Sequence, residues 1–302
     1  MNKKTVYFVV GPTAVGKTAF AIQLANFLKT EIISADSRQF YREMNIGTAT
    51  PTKEELNQAQ HHFIGNLSIH DNYNVYSFEQ DALKLLNMLF KEKDTVVVVG
   101  GSGLYLDALA YGIDELPDAS EEVRMNLKRL YDNEGIEALQ QQLEKLDPQF
   151  YLQIDKQNPK RLLRALEVCL TTGKPYSDLR IGQKKKRDFT IHWIGLEQDR
   201  ALLNKKINLR VDKMLEKGLL DEVKSLYPYK ELNALNTVGY KEFFLWLDGQ
   251  ESFEWAVDKV KTNSRRYAKR QMTWFRKNEE IRWFNVDKIP DFPLLLNFYK
   301  KD

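Results

Sequence analysis

The sequence contains little cysteine and no long apolar run. Cys169 is the single cysteine among 302 residues, which excludes an intramolecular disulfide and a structural zinc site and is typical of a reducing compartment. The apolar stretch after Lys4 ends at Gly11, so it is too short for a signal-peptide core or a membrane span. We therefore expect a cytoplasmic protein without membrane association, and its 43% hydrophobic and 29% charged residues are typical of a globular fold.

Acidic and basic residues nearly balance over the whole chain. The net charge of +3 does not by itself indicate a nucleic-acid partner, but the distribution of charge is uneven. Between 155 and 187 the chain has ten Lys or Arg and three acidic residues, and between 261 and 277 it has seven basic residues and no acidic one. Because leucines or aromatic residues alternate with these charges, both stretches are predicted to be positive faces of folded elements.

The first hundred residues alternate predicted strands and helices. Strands are predicted over 5–10, 31–35 and 94–99, and helices over 18–28 and near 77–92. The valine run at 96–99 is typical of a parallel strand that is covered on both faces. This β-α-β order predicts right-handed crossovers and places functional groups at the carboxyl ends of the strands.

The pattern becomes helical after Pro117. Helices are predicted over 121–131, 136–146, 148–153 and 159–172, after which the sheet resumes at 189–195. Helices are predicted within 200–228, 239–248 and 252–277, and a last strand over 281–286. The predicted fold class is α/β, with a core formed by 1–114 and 187–302 and an all-helical insertion domain at 115–186.

Residues 11–18 fit the phosphate-loop (P-loop) pattern G-x-x-x-x-G-K-[ST] at every position. In such a loop the backbone N–H groups and the helix N-terminus attract phosphate, the lysine reaches terminal phosphates and the threonine hydroxyl meets Mg²⁺. The core is therefore predicted to be a P-loop NTPase-like parallel sheet, and the motif alone predicts nucleotide (ATP) binding. The predicted phosphate-binding residues are Gly11, Pro12, Thr13, Ala14, Val15, Gly16, Lys17 and Thr18, with Thr18 as the metal ligand.

One part of an NTP-hydrolysing site is missing. Such a site has an aspartate that closes a hydrophobic strand and helps to hold the metal, whereas here 96–99 leads into Gly100-Gly101-Ser102-Gly103. This turn is either purely structural or brings Ser102 and backbone amides close to a phosphate or a leaving group. Asp36 follows the strand at 31–35, and its position beside the P-loop favours a catalytic or metal-binding role over a capping role.

Several strings in a fixed order span almost the whole chain. They are GPTAVGKT at 11–18, DSRQFY at 36–41, NIGTA at 45–49, GGSGLY at 100–105, PKRLLRALE at 159–167, VGYKE at 238–242 and RRYAKRQMTWFR at 265–276. Together they resemble the tRNA dimethylallyltransferase (tRNA isopentenyltransferase) family. Phe40 and Ser102 depart from the family's usual smaller aliphatic residue and threonine. No Cys/His finger follows the core, so the resemblance is to the shorter bacterial form.

The resemblance implies transfer of a dimethylallyl group from dimethylallyl diphosphate to N6 of the adenosine on the 3′ side of the anticodon in tRNA, with release of diphosphate. The P-loop would hold the donor's diphosphate, with Mg²⁺ as cofactor. Asp36 would be the base, Lys17 and Arg210 would stabilise the leaving group, and Ser102 would keep a polar contact in the site. The implied partners are the tRNA anticodon stem-loop and the donor, and we expect a monomer.

The resemblance also implies a set of tRNA contacts, because the adenine must be flipped out of its loop to expose N6. Residues 36–39 would grip this nucleotide, and the insertion domain would contact phosphates. The C-terminal helix adds Arg265, Arg266, Lys269 and Arg270 above aromatic residues that we expect to be mostly core. The expected contacts are Asp36, Ser37, Arg38, Gln39, Ser102, Arg124, Lys160, Arg161, Leu162, Leu163, Arg164, Asn236, Thr237, Val238, Gly239, Tyr240 and Lys241.

Three other functions remain open on the residues alone. A nucleotide or metabolite kinase would use the same P-loop with ATP and would release ADP. An isopentenyltransferase that acts on free adenine nucleotide would share most of the motifs and would modify AMP. A nucleic-acid-binding protein whose P-loop only switches conformation would bind without forming product. The basic helical insertion disfavours the free-nucleotide enzyme, since a small acceptor gives it no evident use.

Overall fold

The computed structural model describes residues 4–299, and a six-stranded parallel sheet is the centre of its larger unit. The strands are β1 (Thr5–Val10), β2 (Ile32–Ser34), β3 (His61–His62), β4 (Thr95–Val99), β5 (Thr190–Glu197) and β6 (Ile281–Asn285). They lie in the order β3-β2-β4-β1-β5-β6, and every pairing is parallel. The predicted α/β class with a parallel sheet is therefore confirmed, whereas the short β3 has no counterpart in the prediction.

The helices before β5 are α1 (Lys17–Leu28), α2 (Lys53–Leu56), α3 (Val75–Leu89), α4 (Gly103–Tyr111), α5 (Glu121–Leu146), α6 (Pro148–Tyr151), α7 (Pro159–Thr172) and α8 (Tyr176–Leu179). Those after it are α9 (Arg200–Glu216), α10 (Leu219–Leu226), α11 (Lys241–Leu247), α12 (Phe253–Phe275) and α13 (Phe292–Asn297). Within residues 4–299 there are also three short 3₁₀ turns, Tyr227–Tyr229, Asn233–Leu235 and Val286–Lys288. Among residues 4–299, no helix is both long enough and apolar enough to cross a membrane.

The chain divides into two compact units. The first comprises the chain up to Ala110 and from Lys186 onward, and the second is Tyr111–Lys185. The first unit is built on β1 and β4, whose residues 6–10 and 96–99 are buried because both faces of these central strands are covered. In this unit Arg187 donates to the carbonyl oxygens of Ala108 and Leu109 and pairs with buried Glu79 at 2.6 Å. The two core segments therefore meet where the second unit begins and ends.

The second unit is helical, as predicted for this part of the chain. The prediction of two helices at 121–131 and 136–146 corresponds to α5, which is interrupted at Gly135, where φ is 80°. Buried leucines of α5 and α7 form its core, among them Leu139, Leu143, Leu162 and Leu166. The amide of Lys185 donates to the carbonyl oxygen of Tyr111 at 2.6 Å, so the two ends of this unit are hydrogen-bonded to each other.

Candidate active site

Three loops at the carboxyl edge of the sheet form one cavity in the first unit. The P-loop follows β1, Asp36 follows β2 and the glycine turn 100–103 follows β4. Because β2, β4 and β1 are neighbours in the sheet, these loops lie side by side, as expected for a parallel α/β fold. The cavity has a volume of about 780 Å³, and its lining includes Lys17, Thr18, Asp36, Gln39, Arg210, Tyr267 and Gln271.

Lys17 and Arg210 place two cations at the P-loop. Lys17 begins α1, and its Nζ donates to the carbonyl oxygen of Pro12 at 2.8 Å. Burial lowers the pKa of Lys17 to about 7, with Asp36 opposing the shift and Arg210 adding to it. Burial also lowers the pKa of Arg210, again opposed by Asp36. Two cations held close together and partly desolvated are best stabilised by a multivalent anion.

Arg210 reaches the P-loop from α9. Its Nη1 donates to Thr13 Oγ1 at 3.0 Å, across 197 residues of sequence. The resemblance implied this position, although a pattern-based reading of α9 alone would assign Arg210 to a solvated helix face. The structure brings Arg210, Lys17 and Asp36 to one cavity.

Gln271 was not predicted, yet it connects the P-loop to the glycine turn. The amide of Thr13 donates to Gln271 Oε1 at 2.8 Å, and Gln271 Nε2 donates to the carbonyl oxygen of Gly101 at 3.0 Å. A Cβ at Gly101 would overlap Nε2, so this approach requires glycine. The available signal was a polar residue on the buried face of α12, between Ala268 and Phe275, where an unsatisfied amide would be costly.

The Asp36 loop is fixed to the glycine turn. The amide of Ser37 donates to Ser102 Oγ at 3.0 Å, and this hydroxyl donates to Ser37 Oγ at 3.1 Å. The amide of Arg38 donates to Asp36 Oδ1 at 3.1 Å, which orients the carboxylate. Ser102 therefore positions the loop that carries Asp36.

Arg38 and Gln39, expected to grip the nucleotide, make internal contacts. Arg38 Nη1 donates to the carbonyl oxygens of Asn233 and Ala234, both at 3.1 Å. Gln39 Nε2 donates to the carbonyl oxygen of Ala49 at 3.2 Å. These bonds hold neighbouring loops around the cavity, and a direct contact of either side chain with tRNA stays a prediction.

Tyr267 is a second cavity residue that the sequence reasoning missed as a site residue. Burial raises the pKa of its hydroxyl, the nearby Asp36 charge raises it further, and a hydrogen bond with Ser102 opposes the shift. The phenol therefore stays neutral at physiological pH. Tyr267 therefore lies near both Asp36 and Ser102 and lines the same cavity as Asp36.

Two residues of the string at 238–242 lie inside the molecule. Gly239 is buried, and Tyr240 has no exposed surface. The prediction that these two residues contact tRNA is therefore wrong. Tyr240 donates to Glu222 Oε1 at 2.7 Å. The same carboxylate accepts the amides of Asn45, Ile46 and Gly47 at 2.8 to 2.9 Å. This part of the string fixes the 45–50 loop that lines the cavity, whereas Asn236 and Lys241 are exposed and Thr237 and Val238 are half-buried.

The second unit requires one similar correction. Leu162 is fully buried in the helical core, and Leu163 packs partly buried against it, so the expected tRNA contact of Leu162 is wrong. Lys160 and Arg161 are exposed on α7. Arg164 Nη1 lies 3.4 Å from Glu167 Oε2, and Arg124 Nη2 lies 3.4 Å from Asp118 Oδ1. Lys160 and Arg161 are therefore better placed than Arg164 and Arg124 to contact phosphates.

Comparison with known protein sequences finds relatives of one family. Residues 39–278 match the profile of the family described as IPP transferase. The chain is 51% identical over 280 residues to a tRNA dimethylallyltransferase of Christiangramia forsetii, covering 93% of each chain. It is 49% identical over 289 residues to tRNA dimethylallyltransferase 2 of Azobacteroides pseudotrichonymphae, covering 96% of this chain and 94% of the relative.

Solved structures give the same picture. The full-length tRNA isopentenylpyrophosphate transferase of Bacillus halodurans is similar with a TM-score of 0.71 and 37% identity, covering 99% of this chain and 96% of that one. A eukaryotic dimethylallyltransferase acting on tRNA is similar with a TM-score of 0.74 and 26% identity, covering 93% of this chain and 74% of that one.

Proposed function

Because the chain belongs to the IPP transferase family, we propose that it transfers a dimethylallyl group from dimethylallyl diphosphate to N6 of the adenosine on the 3′ side of the anticodon in tRNA. The observation that carries this proposal is the single cavity shared by the P-loop cations and Asp36. With a diphosphate held by Lys17 and Arg210, the Asp36 carboxylate would lie in the same cavity and would be able to contact the amine of the acceptor. The string resemblance in the P-loop, 36–41 and 100–105 supports the same assignment.

The chemistry requires help at both ends of the bond that forms. An exocyclic adenine amine is a weak nucleophile, so it must be placed against the donor carbon and must lose a proton. Asp36 would accept this proton as N6 bonds to C1 of the donor. As the C1–O bond breaks, the negative charge that develops on diphosphate would be stabilised by Lys17, Arg210 and the backbone of the P-loop. Diphosphate is then released as the leaving group.

Thr18 is the residue of this chain that suits a magnesium ion. It lines the cavity next to Lys17 at the start of α1. Mg²⁺ is usually bound by substrate phosphates with only one or two protein oxygens, so the Thr18 hydroxyl and the donor's diphosphate form a chemically suitable set. When bound, the ion would supply further positive charge for the leaving group. We include Mg²⁺, a monomeric state and a cytoplasmic location in the proposal.

The decisive experiment incubates the purified protein with labelled dimethylallyl diphosphate, Mg²⁺ and total tRNA. We expect label in tRNA, a mass gain of one C₅H₈ group on adenosine, and stoichiometric release of diphosphate. Parallel reactions contain AMP in place of tRNA, or ATP in place of the prenyl donor. Product with AMP alone would indicate a free-nucleotide enzyme, and ADP formation without prenylated RNA would indicate a kinase.

A further inference from the structure

Trp274 is a large aromatic side chain that α12 exposes beside the glycine turn. Its exposed fraction is 39%, although the sequence pattern predicted mostly core aromatics on this helix. The indole Nε1 donates to Asp107 Oδ2 at 2.8 Å, and the ring lies so close to Gly103 that a Cβ there would overlap it. The indole is thus fixed in orientation while part of its surface faces solvent.

A single exposed aromatic residue is common on protein surfaces, so the neighbours of Trp274 decide its meaning. Tyr267, Arg270 and Trp274 are spaced by three and four residues and share one face of α12. Tyr267 lines the cavity with Asp36, and the exposed Arg270 guanidinium lies 5.7 Å from the Tyr267 ring centre. This face therefore runs from the active-site cavity to the exposed indole.

The glycine turn sets an upper limit on the distance between Asp36 and the indole. A Cβ at Gly101 would lie 3.8 Å from Asp36 Oδ2, while Gly103 contacts Trp274. The Cα atoms of residues two apart are separated by at most about 7 Å. The exposed indole is therefore within reach of a nucleotide adjacent to one whose base lies at Asp36.

The charge of α12 favours RNA as the occupant of this surface. Between Lys261 and Lys277 the chain carries seven basic residues and no acidic one, and Lys269, Arg270 and Arg276 are exposed. Proteins bind unstacked RNA loops by stacking bases on aromatic rings and guanidinium planes, with nearby cations on the phosphates. A fixed indole bordered by arginine matches that chemistry better than it matches an apolar peptide.

We propose that Trp274 stacks on the base of a nucleotide directly adjacent to the target adenosine in tRNA, and so holds the loop open while the adenine occupies the cavity. This inference rests on the proposed function and adds a binding residue to it. The stacked neighbour would compensate part of the cost of unstacking the target base.

The test combines protein and RNA changes in a double-mutant cycle. Wild-type, Trp274→Ala and Trp274→Phe proteins are compared on an anticodon stem-loop RNA and on versions that lack the base 5′ or 3′ of the target adenosine. Trp274→Ala should weaken RNA binding roughly 5- to 150-fold, the range for loss of one base-aromatic stack. Trp274→Phe keeps a ring but loses the bond to Asp107, and should recover most of the affinity.

Removal of the correct flanking base should cost wild type a similar factor and should cost Trp274→Ala little more. Phe27→Ala, which truncates an aromatic residue of 47% exposure on α1, is the matched control and should bind RNA normally. The affinity of each variant for the prenyl donor shows whether its active site is intact.

Three results would overturn the inference. They are full affinity of folded Trp274→Ala, equal losses in the Ala and Phe variants, or normal wild-type binding of both base-deleted RNAs. The last result is obtained with the wild-type protein alone, so it does not depend on whether a variant folds. If wild type forms no prenylated RNA at all, the proposed function itself fails, whereas an active wild type with any of the three results refutes only the stacking role.

Discussion

Asp36 is the residue on which proton removal depends in the proposed reaction. Asp36→Ala should lower kcat by roughly 10²- to 10⁴-fold, the range for loss of a general base, with tRNA affinity largely kept. The measurement is the steady-state rate of prenylation at saturating tRNA and donor. Asp258→Ala, a change of an exposed acid on α12, is the control and should leave the rate unchanged. Full activity of Asp36→Ala would remove this carboxylate from the mechanism.

Lys17 predicts a pH dependence of donor binding. Its pKa is lowered to about 7, so the empty site loses this charge as pH rises through 7, whereas a bound diphosphate favours the protonated lysine. Donor binding should therefore take up a proton above pH 7, and its Kd should weaken by up to about tenfold per pH unit from this group. Calorimetry in buffers of different ionisation enthalpy measures the uptake.

Lys17→Arg is the matched control for this effect, since arginine stays charged throughout the range. Its overall affinity can change, but the proton uptake above pH 7 should disappear. The same uptake in wild type and in the arginine variant would assign the titration to another group.

Single residues also show the limits of sequence reasoning. The P-loop and Asp36 could be placed because each follows a strand directly, and parallel strands bring such positions together. Gln271 could not, because its partner Thr13 is 258 residues away in the chain and its role depends on how α12 packs. Tyr240 and Leu162 belong to matching strings, but a string does not distinguish a residue that touches substrate from one that fixes a loop.

The α7 helix predicts a graded electrostatic effect. Lys160→Ala and Arg161→Ala should each weaken tRNA binding and lower the slope of log K against log salt by about one. Arg164→Ala should change the slope less, because its guanidinium already lies near Glu167 and Asp118. The measurement is tRNA affinity across a salt series. Equal slopes for all three variants and wild type would contradict a phosphate role for this helix.

The loop at 45–50 depends on α10 and on the turn before α11. Tyr240→Phe keeps the ring against Gly47 but removes the hydrogen bond to the Glu222 carboxylate. It should lower the free energy of unfolding by roughly 1.5 to 3 kcal/mol, the range for hydrogen bonds to charged groups. Urea unfolding measures this, and Tyr229→Phe at an exposed tyrosine should change stability by less than about 0.5 kcal/mol.

Elements were predicted best where their apolar period is strong. β1, β4, α7 and α12 follow the sequence pattern closely, since each has a buried run or a regular buried face. α4 was missed because its sequence GLYLDALAY is apolar on most sides, so it has no helical stripe to detect. β3 has only two residues, which is too few to show a strand pattern. It is a strand only because it pairs with β2.

At the scale of the whole molecule, the second unit interrupts a core whose two segments already meet. Arg187 holds the carbonyl oxygens of Ala108 and Leu109, so a short Gly/Ser linker from Ala110 to Lys186 should replace residues 111–185 without unfolding the sheet. We expect this deletion variant to bind the prenyl donor as wild type does and to lose at least about tenfold in tRNA affinity, because the cations of α7 are removed.

Donor and tRNA titrations of the same preparation measure both effects. Retained tRNA affinity would refute the assignment of RNA binding to this unit. If the deletion variant lost both donor binding and the cooperative unfolding transition, the result would show instead that the core needs the second unit in order to fold.

The Gln271 amide joins the loop that would receive the donor to the turn that would meet the acceptor. If donor binding displaces the P-loop, these hydrogen bonds would pass the displacement to Gly101, and a displacement of the turn on RNA binding would be passed back to Thr13. Thermodynamic linkage makes this exchange symmetric: whatever factor the first substrate imposes on the affinity of the second, the second imposes on the first. Gln271, a single buried side chain, would thus couple the affinity for the donor to the affinity for the acceptor RNA.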